Sequence, residues 1–209
     1  MTTQERNELI DKIRRLPQQI ADLVTGLSDE QLTTQYLVDE WTVAQNVHHL
    51  VDSHMNSYIR CKLIATEEHP TLKPYDQDAW AQFADASAAD VSGSLFMLAQ
   101  LHRRWVSFWE TLSADEWGRT GHHPESGTVT LETQLAFARY GQLAKVHRCF
   151  QVMCLVKHPH RKTRSFRRLA LPYPYKQAPP TRHLAAFRGP QNPMGQRCPS
   201  MPRDAPYWS

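Results

Sequence analysis

Four long amphipathic segments constrain the fold of this chain more than any other feature of its sequence. In each segment, apolar residues recur mostly at three- and four-residue steps, which places them on one face of an α-helix. The segments run from about residue 4 to 27, 42 to 66, 92 to 112 and 130 to 156. No stretch shows a convincing strand-like alternation, so the connections are expected to be loops. The sequence therefore predicts an all-α fold, an antiparallel four-helix bundle.

Local signals refine two of these helices. Thr42 is followed three residues later by Gln45, the spacing of a capping box that starts a helix. Pro17 stands inside the first segment. Because proline has no N–H and its ring crowds the preceding turn, it is expected to bend that helix or mark a break.

Charge and proline content change abruptly along the chain. Residues 1–156 contain 13 Lys and Arg against 20 Asp and Glu, whereas residues 157–209 contain 11 against one. Ten of the 14 prolines also lie in the second part. Such a segment buries too little apolar surface to offset its chain entropy. We therefore predict a bundle domain over residues 1–156 and a largely disordered basic tail over residues 157–209.

The remaining composition predicts the cellular setting. The N-terminal residues are polar and lack the apolar core of a signal peptide. No apolar run approaches the length of about 18 residues that a membrane span requires. The four cysteines show no CxxC spacing. A cytoplasmic protein with reduced thiols and no membrane contact is expected.

A histidine cluster in the second segment is the strongest candidate for chemistry. His48, His49 and His54 lie within seven positions, beside Asp52, and imidazole nitrogens bind divalent transition metals well. At these spacings the three rings fan out around a helix instead of converging. We expect at most one of them, His49, to point into the bundle. Any metal site would then need further ligands from another helix.

Other residues are weaker candidates. Asp52 could orient a metal ligand, although an Asp at a helix rim is more often only solvated. Tyr58, Arg60 and Trp105 could shape a pocket, although packing or surface roles are commoner for such residues. The sequence shows no nucleophilic Ser or Cys arrangement, no phosphate-binding Gly-rich loop and no zinc-finger spacing. It assigns no catalytic residue.

Several short motifs carry a resemblance to a known family. They include Trp41-Thr42-Val43, Val47-His48-His49-Leu50, Asp52-Ser53-His54-Met55-Asn56-Ser57-Tyr58-Ile59-Arg60, Lys73-Pro74-Tyr75-Asp76, Leu101-His102, Arg104-Trp105 and His123-Pro124. Together with the residues between them, they resemble the YfiT branch of the DinB-like superfamily over roughly residues 27 to 132.

The resemblance implies a four-helix bundle that binds one divalent metal ion, Zn or Ni, through three histidines. One ligand is the second histidine of the His-His-Leu run, which here is His49. The other two come from the fourth helix, four residues apart, in a motif resembling Trp-His-x-x-x-His. The family is described as metal-dependent hydrolases, some relatives act as thiol S-transferases, and homodimers are common. A small-molecule substrate and a low-molecular-weight thiol are therefore the expected partners.

The chain departs from this pattern in its fourth helix. An ungapped alignment puts Gly141 and Lys145 at the positions of the two missing ligands, and neither can serve as one, because glycine has no side chain and lysine is normally protonated. His147 lies two residues further on, about 200° away around a helix. We therefore expect an impaired, weakly binding site. A shifted reading frame from about residue 137, or a recombined gene, would explain the loss, and a divergent tail is the rival explanation.

Two other functions stay open from the sequence alone. The basic tail could bind nucleic acid or another anionic surface, since Lys and Arg contacts to phosphates release counterions, but the acidic bundle makes nucleic acid an unexpected partner. Alternatively, the bundle could be a scaffold or dimerisation module without catalysis. A metal-dependent hydrolase or thiol S-transferase is the preferred interpretation.

Overall fold

A computed structural model describes residues 1–138, and the elements below belong to that part of the chain. It contains three long helices, several single-turn helices, one β-hairpin and the beginning of a further helix. In chain order they are α1 (Thr3–Val24), α2 (Asp29–Thr33), α3 (Val43–Thr66), α4 (Gln77–Trp80), α5 (Ala84–Ser87), α6 (Ser92–Glu110), α7 (Ala114–Trp117), β1 (Thr120–His123), β2 (Gly127–Thr130) and α8, which is described over 131–138. Within that range, no helix is both long and apolar enough to cross a membrane.

The long helices lie where the apolar spacing predicts them, and α8 begins as expected beside Thr130. The capping box that opens α3 is confirmed: Thr42 Oγ1 accepts the backbone N–H of Gln45, and the Gln45 side chain accepts the N–H of Thr42. The second half of the predicted fourth helix, the boundary at residue 156 and the predicted tail lie outside the described residues. The division into two parts stays a prediction.

The direction of the helices follows from their contacts. His48 contacts Ser94 and, further along both helices, Tyr58 contacts Phe108, so α3 and α6 run in the same direction. Helix α1 runs opposite to α6. Because the long connection over residues 67–91 returns the chain to the starting end of α3, two sequential long helices can be parallel neighbours. The all-α, four-helix-bundle fold is confirmed, with this parallel pair inside it.

The core joins α8 to the other helices. Its fully buried apolar residues come from α1, α3, α6 and α8 and pack around two tryptophans of α6; they include Ile13, Ile64, Trp105, Trp109, Leu131 and Leu135. At the surface, Glu132 of α8 forms ion pairs with Arg6 and with the N-terminal amine. The beginning of the fourth helix is therefore anchored to α1.

The connector between α7 and α8 was predicted as a loop, and this was wrong. Strands β1 and β2 form an antiparallel hairpin in which Thr120 pairs with Thr130 and His123 with Gly127. Gly127 has a φ of +70°, a conformation that glycine adopts without strain. Each strand has only four residues, too few for an alternating pattern to stand out in the sequence.

Pro17 does not break α1, which continues without interruption to Val24. An ordinary residue at this position would donate its N–H to the carbonyl of Ile13, four residues earlier. That carbonyl instead accepts a hydrogen bond from His102 Nδ1 of α6, at 2.7 Å. The helix is maintained because a neighbouring helix supplies the donor that proline lacks.

Candidate metal centre

All three histidines of α3 are buried, with exposed fractions of 7% for His48, 2% for His49 and 4% for His54. The expectation that at most one points inward was therefore wrong. The N-terminal half of α3 packs against α2, α4, α5 and α6 and so has little solvent-facing surface. The rings do fan out as predicted, and each contacts a different part of the molecule.

His48 is held between two neighbours. One ring nitrogen, Nε2, lies 3.0 Å from the carbonyl of Ala88, to which it donates, and Nδ1 lies 2.8 Å from Ser94 Oγ, from which it accepts. With both nitrogens engaged, this ring joins α3 to the start of α6. It has no nitrogen left for a metal ion.

His49 lies among aromatic rings on another face of α3. The Trp41 ring centroid is 4.7 Å from that of His49, and the Tyr75 ring stacks on it at 6.4 Å. Trp80 packs against Tyr75 at 4.6 Å. The imidazole predicted as a ligand is therefore turned inward, in a position from which aromatic side chains exclude most water.

His54 belongs to a separate buried pair. The carbonyl of Ile13 can only accept, so His102 Nδ1 carries a proton and its Nε2 accepts from His54 Nδ1 at 2.7 Å. Burial lowers the pKa of His102 to about 4, and burial beside His102 moves the pKa of His54 well below its usual value. Both rings are neutral near pH 7 and serve as a hydrogen-bonded link between α1, α6 and α3.

Arg60 and His123 lie close to the Tyr75 side of the His49 pocket. The Arg60 guanidinium donates to the carbonyl of Lys73 at 2.6 Å, and its pKa is lowered by burial, partly offset by Tyr75 and Glu125. His123 is 8% exposed, and burial and the nearby Arg60 lower its pKa. Arg60 was among the candidate pocket residues. Sequence reasoning assigned no site role to Tyr75 or His123, although both stand in the motifs that carry the family resemblance.

The other candidates lie elsewhere. Tyr58 and Trp105 contact each other edge to face at 6.3 Å, in the packing between α3 and α6. Burial and the negative charge of Asp85 raise the pKa of Asp52 above its usual value, and His48 offsets only part of this rise. These neighbours place Asp52 toward α5.

Among residues 1–138 no group of three or more His, Cys, Asp or Glu side chains is arranged to hold a metal ion. The described part of the pocket contributes one well-placed imidazole, that of His49. Gly141, Lys145 and His147, on which the sequence argument about the missing ligands depends, lie outside the described residues.

The sequence and fold are similar to those of known proteins. Residues 12–140 match the DinB superfamily. The chain is 42% identical over 136 residues to the "Putative metal-dependent hydrolase YfiT" of Bacillus subtilis, covering 65% of this chain and 76% of that protein. It is 49% identical over 135 residues to the Bacillus mycoides protein of the same description, BcerKBAB4_2443, covering 63% and 75%.

A solved structure of Bacillus subtilis YfiT superposes with a TM-score of 0.70 at 37% identity, covering 73% of this chain and 87% of the other. It is described as a probable metal-dependent hydrolase with an unusual four-helix bundle topology. The superfamily match spans more than half of this chain, and the relatives match over most of their own length. The chain therefore belongs to the DinB superfamily.

Proposed function

We propose that this protein is a hydrolase of the metal-dependent class of its relatives, with His49 as the metal ligand supplied by α3. The observation that carries the proposal is the burial of this one imidazole between Trp41 and Tyr75. A ring in this position does not serve as a solvated surface group. The relatives' descriptions as metal-dependent hydrolases support the same interpretation.

A divalent ion held by imidazoles lowers the pKa of water and polarises substrate oxygens, which is the chemistry that a hydrolase of this class needs. The described residues shape the surroundings of that chemistry. Trp41 and Tyr75 limit access of bulk water to the His49 ring. Arg60 and His123 add polar groups on the Tyr75 side.

One imidazole is a poor metal site by itself, so we expect weak binding in the chain as it stands. The identity of the metal as Zn or Ni, a thiol S-transferase activity, a homodimer and a cytoplasmic location all stay predictions. Nucleic acid is still not the expected partner.

Metal binding by the full-length chain tests the role of His49. Two variants are compared by equilibrium dialysis against Zn or Ni with elemental analysis. One restores the family's ligand pair through Gly141→His and Lys145→His, and the other adds His49→Ala to that pair. We expect the restored chain to bind about one ion, and His49→Ala to weaken its binding at least tenfold, a change that corresponds to a loss of about 1.4 kcal/mol of binding free energy.

The matched control adds His122→Ala to the restored pair. Because His122 is exposed on β1, this substitution removes one imidazole outside the His49 pocket. It should leave the ion bound. Equal binding with and without His49 would contradict the proposal. A restored chain that folds, as judged by circular dichroism, yet binds no ion would favour a bundle without a metal-dependent role.

A further inference from the structure

A groove lies between the C-terminal halves of α3 and α6, with a volume of about 440 Å³. Three cationic side chains, two aromatic rings and a serine hydroxyl are prominent in its lining: Tyr58, Lys62, Arg103, Arg104, Ser107 and Phe108. Its volume falls in the range of small-molecule sites.

Charge distinguishes this groove from the rest of the described surface. Residues 1–138 contain 10 Lys and Arg against 20 Asp and Glu, a net charge of −10. Three of those ten cations, Lys62, Arg103 and Arg104, line the groove, and no carboxylate of the described residues forms a salt bridge with them. By contrast, Arg6 and Arg14 pair with carboxylates.

Aromatic rings hold two of these cations in place. Lys62 Nζ lies 4.5 Å from the Phe108 ring centroid and 5.4 Å from that of Tyr58, and Arg104 Cζ lies 5.8 Å from Tyr58. A cation–π contact positions a cation without neutralising it, unlike an ion pair. The two positive charges therefore stay close together and available to a ligand.

We propose that this groove binds a small, multiply charged anion bearing phosphate or carboxylate groups. Guanidinium groups and Ser107 Oγ can donate hydrogen bonds to such oxygens. A long polyanion such as nucleic acid fits less well, because the net charge of −10 over residues 1–138 repels extended negative charge. A compact anion needs to contact only the three cations of the groove.

The groove is separate from the metal centre. Tyr58 follows His49 by nine positions on α3, which is two and a half turns, so it faces the opposite side of the helix about 13 Å further along its axis. The ligand proposed here therefore does not require a bound metal, and the proposal stands or falls independently of the function proposed above.

Isothermal titration calorimetry of the full-length chain with pyrophosphate and with citrate tests the proposal. We expect saturable binding that the double variant Lys62→Ala, Arg104→Ala weakens at least tenfold, because two charge-assisted contacts are lost. Lys12→Ala, which removes an exposed cation on α1, is the matched control and should bind like the parent chain. Any binding by the basic C-terminal residues is common to all three chains and cancels in the comparison.

Tyrosine ring NMR signals give a local measurement, since a ligand in the groove shifts the resonance of Tyr58 in the parent chain but not in the double variant. The altered side chains are exposed, and thermal unfolding checks that the fold is kept.

Equal affinity in the parent and the double variant, or no binding by either anion, would overturn the proposal. Binding of an oligoglutamate peptide in the groove without binding of pyrophosphate or citrate would show that the ligand is an acidic protein segment and overturn it as well.

Discussion

Pro17 and His102 depend on each other through the carbonyl of Ile13. Proline leaves that buried carbonyl without its helical donor, and His102 supplies one from α6. An unsatisfied buried carbonyl would cost about 1–3 kcal/mol. The same bond fixes the His102 tautomer and thereby directs the proton of His54 toward His102 Nε2. One proline in α1 thus determines how two imidazoles of α6 and α3 are arranged.

The free energy of unfolding should decrease as the pH decreases. The reason is that the rings of His54 and His102 stay neutral in the folded chain over a pH range in which they are already protonated in the unfolded chain. The ordinary histidine pKa is 6.5, and burial lowers that of His102 to about 4. Below pH 6.5 the unfolded chain therefore binds a proton that the folded chain rejects, and stability is lost until about pH 4. We expect His102 to account for about 3 kcal/mol of this loss. Urea unfolding between pH 7 and 4 measures it.

The variant His102→Gln should flatten that pH dependence, because its amide can still donate to Ile13 and accept from His54 but does not titrate. His54 retains its own contribution, with its pKa lowered by burial. His122→Gln on the exposed side of β1 is the matched control. An unchanged slope in His102→Gln would mean that other groups cause the acid sensitivity.

At the scale of single residues, the sequence predicted the burial of His49 and missed much of its surroundings. The predicted inward face came from local helical spacing, which a sequence displays directly. Tyr75, whose ring contacts His49, is 26 positions away from it in the sequence, and His123 is 74 positions away. Helical periodicity carries no information about contacts between residues so far apart. The inward positions of His48 and His54 also required knowing that α3 is covered on several sides.

The hairpin β1–β2 packs unusually closely against α3 at Gly121. A Cβ added there would lie 3.0 Å from Ile64 Cγ1 and 3.2 Å from the carbonyl oxygen of Pro70. Because the second neighbour is backbone, it cannot move aside as a flexible side chain would. Gly121→Ala should lower the free energy of unfolding by about 1–3 kcal/mol, measured by chemical denaturation.

Gly93, in the first turn of α6, provides the matched control. A Cβ added there meets no atom within 4 Å, and alanine favours helix formation over glycine by up to about 1 kcal/mol. Gly93→Ala should therefore leave stability unchanged or raise it. Equal destabilisation by both substitutions would contradict the close approach of the hairpin to α3.

Helix boundaries and helix arrangement differed in how far the sequence predicted them. The start of α3 was predicted at the correct residue because its capping box is local chemistry between Thr42 and Gln45. The parallel course of α3 and α6 was not, since it depends on how residues 67–91 cross the bundle. Apolar periodicity gives the buried face of a helix but not the direction of its neighbour.

At the scale of the whole molecule, charge and family similarity change in the same region. Residues 1–138 carry a net charge of −10, whereas residues 139–209 contain 14 Lys and Arg against one Asp, a net charge of +13. The match to the DinB superfamily ends at residue 140. Within a few positions, the fourth segment loses both the sequence pattern of the family and its acidic residues. A change of reading frame would produce both losses at once.

Sequencing of the coding DNA tests that hypothesis without requiring any folded protein. We expect another frame, entered at about codon 137, to encode a Trp-His-x-x-x-His segment at the spacing that places its histidines where Gly141 and Lys145 now stand. Joining that frame to the first 136 codons should give a chain that binds a divalent ion about as tightly as the restored variant described above, because both would supply two more imidazoles at the same positions of the sequence. If no alternative frame encodes such a segment, the change of frame is excluded, and a recombined gene or a divergent tail is left to explain the basic C-terminal region.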